Sequence, residues 1–101
     1  MTYRLSTPAE VQKIFNEHGY WERAQKGELT ECELWRGTRK RRKGDLRGTV
    51  SQTIGYFDHG GKLIARVHQN ISVRTGMVKG RPDPITLLHD GVLYDCGRFH
   101  R

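Results

Sequence analysis

At 101 residues the chain is near the lower end of single-domain size, so one hydrophobic core is expected over residues 1–101 and a second is excluded. Hydrophobic residues make up 35% and charged residues 29%, a polar mixture for a globular protein but too apolar for full disorder. The 18 Lys and Arg against 11 Asp and Glu leave a net charge of +7, which bears on partners rather than fold and points to a polyanion.

Thr7-Pro8-Ala9-Glu10 carries the marks of a helix start. Thr7 is the N-cap, Pro8 takes the first helical position and Glu10 is placed for a capping box. Ala9, Val11, Ile14, Phe15 and His18 then fall on one side of the helix, with Glu10, Gln12, Lys13 and Glu17 mostly on the other. Gly19 stops it. Residues 20–26 form a second short helical piece with Trp21 and Ala24 inward, ended by Gly27 in a left-handed conformation.

Glu31-Cys32-Glu33-Leu34-Trp35 alternates like a strand, and Arg36-Gly37 opens the densest basic segment of the chain. Residues 36–47 hold seven cations, one acid and no apolar side chain except Leu46, so they cannot bury themselves and read as an exposed loop. Val50, Gln52, Ile54 and Tyr56 alternate with Ser51, Thr53, Gly55 and Phe57; Asp58-His59-Gly60-Gly61 is a turn; Leu63, Ala65, Val67 and Ile71 alternate with Ile64, Arg66, His68, Asn70 and Ser72. The pair is a predicted β-hairpin. Gly76 and Gly80 bound a further loop, and Arg81-Pro82-Asp83-Pro84 is too rich in proline for a central strand, with Pro84 starting a helical turn through Leu88. Asp90-Gly91 marks a tight turn before a closing strand, Val92-Leu93-Tyr94, and the basic tail at residues 97–101 is expected to fray. The expected fold is α+β: an N-terminal helix packed on a small antiparallel sheet, or an SH3-like, partly open barrel with a helical extension.

No stretch approaches the roughly 20 apolar residues of a membrane helix, Met1-Thr2-Tyr3-Arg4 lacks the apolar run of a signal peptide, and no basic amphipathic helix suits a membrane surface. These features predict a cytoplasmic protein without a membrane partner. Cys32 and Cys96 are expected as buried thiols, being too few for a disulfide framework. Phosphate-binding GxxxxGK[ST] loops, GxGxxG turns, GxSxG elbows and HExxH helices are missing, which argues against nucleotide-driven enzymes, serine hydrolases and zincins. Cys96 and His100 are four apart, but no second close pair accompanies them, so no metal or other cofactor is expected.

DNA or RNA is the expected partner, met by Arg36, Arg39, Lys40, Arg41, Arg42, Lys43 and Arg47, with Trp35 beside them as a base-stacking candidate. An alternative is a metal-independent, toxin-like ribonuclease. On that reading His68 is acid or base, and Arg66, Arg81 or Arg74 is the cation for the phosphorane, because Arg66, His68, Asn70 and Ser72 share one strand face at period two. Glu31 and Glu33 are second-group candidates, and Asp83 is assigned to scaffolding within its proline-fixed turn. Inhibition of a host protein is a third expectation, consistent with the same residues.

The stretches Ile64-Ala65-Arg66-Val67-His68-Gln69, Gly80-Arg81-Pro82-Asp83-Pro84 and Asp90-Gly91-Val92-Leu93-Tyr94 resemble the C-terminal half of short uncharacterised bacterial and phage proteins. Residues 70–78 depart from the tight turn usual there. The resemblance implies a phage or prophage setting and carries no activity with it.

Overall fold

The computed structural model describes residues 2–37 and 48–97; the expectations for a loop over 38–47 and a frayed tail over 98–101 lie outside the described residues. The elements are β1 (Thr2–Leu5), α1 (Pro8–Glu17), α2 (Tyr20–Gln25), β2 (Thr30–Arg36), β3 (Thr49–Phe57), β4 (Leu63–Ser72), β5 (Val78–His89) and β6 (Val92–Asp95). They make an α+β fold with one six-stranded sheet in the order β1-β6-β5-β4-β3-β2. Strands β2 to β6 form an antiparallel meander. The meander walks back to β1, which pairs parallel with β6, so β1 and β2 occupy opposite edges and the helices between them cross one face of the sheet. Two expectations are thereby corrected: the sheet is mixed rather than antiparallel, and it is open rather than barrel-like.

Helix α1 starts as its sequence dictates. Thr7 Oγ1 accepts from the Glu10 backbone N–H at 3.1 Å and donates to Glu10 Oε1 at 3.3 Å, with Pro8 in the first turn. Gly19, at φ 61°, separates α1 from α2. Val11 and Phe15, one helical turn apart, are fully buried against Tyr56, Ala65, Val67 and Leu87 of the sheet, and Tyr20, Ala24, Leu29 and Ile54 complete the core. Directly paired residues share a face, and the pairs Tyr56↔Ala65, Ala65↔Leu87 and Ile54↔Val67 place the whole apolar set beneath the helices.

The proline segment departs most from expectation. It is neither loop nor helical turn but the first half of β5, an inner strand with Pro84 opposite Val67 and Asp83 opposite His68. The sheet tolerates it because β6 covers only Thr86–His89 of β5. Pro82 and Pro84 are two apart and direct their missing N–H groups to one side. Gly80, read as a loop boundary, lies inside β5 at φ 78°, where the ladder shifts register between His68 and Asn70. The Asp90-Gly91 turn is as expected, with both residues at positive φ (49° and 76°) between the paired His89 and Val92, the signature of a type I′ hairpin. Cys96 is partly buried, but Cys32 is exposed on the edge strand. Among the described residues no helix is long and apolar enough to cross a membrane.

Candidate nucleic-acid interface

Strand direction decides what gathers at each end of the sheet. Strand β2 ends and β3 begins at the same end at which β4 ends and β5 begins, so the 37–48 connection and the 73–77 turn emerge side by side. Val73 N–H donates to Gly48 C=O at 2.9 Å, and Gly37 N–H donates to Ser51 C=O at 2.7 Å. The sequence carries Arg39, Lys40, Arg41, Arg42, Lys43 and Arg47 in the first connection, and Arg74 and Lys79 in or just beyond the second. This end also exposes Val73, Met77 and Val78.

Arg36 is the last residue of β2 and is not a free cation. Its Nε and Nη2 donate to Glu33 Oε2 at 3.0 and 2.7 Å, and Gln52 Nε2 donates to the same oxygen. Gln69 Nε2 then donates to Gln52 Oε1 at 2.7 Å, so a polar chain runs from the buried glutamines to the sheet edge. The bonds from Arg36 first, then Gln52, hold the Glu33 carboxyl below its ordinary value of 4.5. A carboxyl lowered in the folded state contributes stability that is present above the unfolded value and is lost as pH falls through the lowered one. The expected result is a Glu33 carboxyl titration, followed by carbon-detected NMR, with its midpoint below 4.5 and moved upward by Arg36→Ala. An unmoved midpoint would show that Arg36 does not hold the carboxylate. The only sequence signal for this chain was a glutamine in the inward register of each of two paired strands.

Trp35 owes its position to a bulge. Between Glu33, opposite Ile54, and Trp35, opposite Thr53, Leu34 is the extra residue. Glu31 and Glu33 therefore share the face of Tyr56 and Ile54, beneath the helices, while Trp35 shares the opposite face with Thr53 and is 55% exposed. A Cβ on Gly37 would stand 3.1 Å from Trp35 Cη2, a tight contact, so the indole lies over the backbone at the strand end.

The helix-free face carries the other set. Arg66 is opposite Gly55 and Thr86, His68 is opposite Thr53 and Asp83, and Asn70 is opposite Ser51. Arg66 Nε donates to Thr86 Oγ1 at 3.3 Å. The sequence expectation that Arg66, His68 and Asn70 share one face is met. Arg81 does not join them: its guanidinium lies 4.6 Å from the Trp21 ring centroid, Nε donates to Asn16 Oδ1 at 2.9 Å, and Nη2 pairs with Glu22 Oε2 at 3.0 Å, so it ties β5 to both helices. Glu31 and Glu33 are on the wrong face to serve His68. Asp83, assigned to scaffolding, is instead the residue directly across from it.

A second cluster, which the sequence did not suggest, sits at the other end of the sheet. The Tyr20 hydroxyl meets His89 Nδ1 at 2.6 Å, His89 Nε2 lies 3.4 Å from Asp90 Oδ2, and the His18 and His89 rings touch at a tilt of 38° with centroids 4.1 Å apart. It fastens the helices to the end of β5. Among the described residues no three His, Cys, Asp or Glu side chains are grouped to hold a metal ion. No family model matches the chain, and comparison with curated proteins and with solved structures gives no match.

Proposed function

We propose that the chain is a small, basic nucleic-acid-binding protein of phage or prophage setting, acting by binding rather than catalysis. The observation that carries this reading is the convergence at one end of the sheet. The connection bearing Arg39, Lys40, Arg41, Arg42, Lys43 and Arg47 emerges beside the turn bearing Arg74, and Trp35 stands at its base. A connection rich in cations, with the exposed Trp35 at its base, suits phosphates and a stacked base.

The test is a mobility-shift titration with duplex DNA, single-stranded DNA and RNA over a salt series. Binding is expected at low salt, with log affinity falling linearly against log salt by about 0.9 for each phosphate neutralised on a duplex and about 0.7 on a single strand. Absence of binding to all three at low salt would end the proposal.

A further inference from the structure

We infer, building on the nucleic-acid reading, that the ligand is a single strand lying across the helix-free face of the sheet, with its bases over the row from Trp35 to Asp83 and its backbone toward Arg66. Trp35, Thr53, His68 and Asp83 are successive cross-strand partners on β2, β3, β4 and β5. At roughly 4.8 Å per strand they form a line about 14 Å long. The line reads indole, hydroxyl, imidazole, carboxylate: one stacking surface followed by hydrogen-bonding groups. A sheet of this width accommodates two to three bases.

The charges on the face select the form of the ligand. Asp83 lies in the row, partly buried and directly across from His68. A carboxylate repels phosphate but accepts from the exocyclic amines and ring N–H groups of bases, and only unpaired bases present all of those edges. A duplex laid here would bring the phosphates of two strands over the Asp83 carboxylate. A single strand can turn its bases to the row and leave its phosphates to Arg66. The bulge at Leu34 turns Trp35 to this face, where the first base would stack.

The experiment is an NMR titration of the isotope-labelled full chain with single-stranded DNA, single-stranded RNA and a duplex of the same sequence, each about ten nucleotides long, at low salt. Beside it, affinities are measured for the parent, Trp35→Ala and Trp35→Phe. The expected result is movement of the Thr53, Arg66 and His68 amides and the Trp35 indole signal with either single strand. Affinity for the single strand should exceed that for the duplex, fall roughly 5- to 100-fold in Trp35→Ala and largely return in Trp35→Phe. Tight binding that leaves the Thr53, Arg66 and His68 amides unmoved overturns this inference alone, as does an equal loss on single strand and duplex in Trp35→Ala. If no nucleic acid of any form binds, both the inference and the reading beneath it fall.

Discussion

Replacing Arg39, Lys40, Arg41, Arg42 and Lys43 together by Ser is expected to lower duplex affinity by about four decades at 0.1 M salt. Counter-ion release contributes about 0.9 of a decade for each neutralised phosphate between 1 M and 0.1 M salt, and the substitution removes four to five such contacts. The slope of log affinity against log salt should therefore shrink by about four. The loss should fall alike on all sequences, because phosphate contacts position the nucleic acid without reading it. Surface substitutions away from packed or capped features shift stability by only about 0.5 kcal/mol, so the melting temperature of the variant should stay within a few degrees of the parent. An unchanged salt slope would remove this segment from the interface. A loss confined to one sequence would mean that it reads bases.

Phe15→Ala is the substitution expected to cost most stability. Phe15 is fully buried, and its ring stacks on Tyr20 and on Tyr56 with centroids 6.1 Å away in both cases, joining α1, α2 and β3 through a single side chain. Truncation forfeits the buried ring and leaves a cavity, together about 3–5 kcal/mol. Domains of this size are commonly stable by only about 5–15 kcal/mol. The melting temperature, followed by circular dichroism, should fall by roughly 15–30 °C. Phe15→Leu, which keeps much of the volume, should fall far less. A loss below about 1 kcal/mol for the alanine variant would mean that α1 is not anchored through this ring.

What could be read from sequence was whatever depends on neighbours a few residues away. Thr7, Pro8 and Glu10 specify a helix start by contacts within one turn, and Asp90-Gly91 specifies a hairpin by its own φ angles. The period-two pattern of Ala65 and Val67 against Arg66 and His68 names the two faces of β4 before any partner is known. What could not be read depends on distant partners. Pro82 and Pro84 argue against an inner strand unless β6 is known to stop at the pairing with Thr86. The bulge at Leu34 is defined only by the register with β3, and it turns Trp35 to the face away from Glu33. Arg81 looked like a catalytic cation because its neighbours on the helices are 65 and 59 residues away in sequence. The candidate site was legible in the same uneven way: the cations by composition alone, the company of Asp83 and His68 only from the pairing of β4 with β5.

The parallel pairing of β1 with β6 bears on the order in which the molecule assembles. Thr2 to Leu5 meet Val92 to Asp95, and Tyr3 and Asp95, joined by a hydrogen bond, are 92 residues apart. Among the described residues every other strand pair joins strands consecutive in the chain. The β1 edge must wait until the meander has laid down β6, because joining ends so far apart costs chain entropy that only the finished sheet can offset. Helix α1, with local contacts and its own cap, can form at once and rest on the growing face. The first four described residues are thus the last to dock, and their contacts should slow unfolding more than they speed folding.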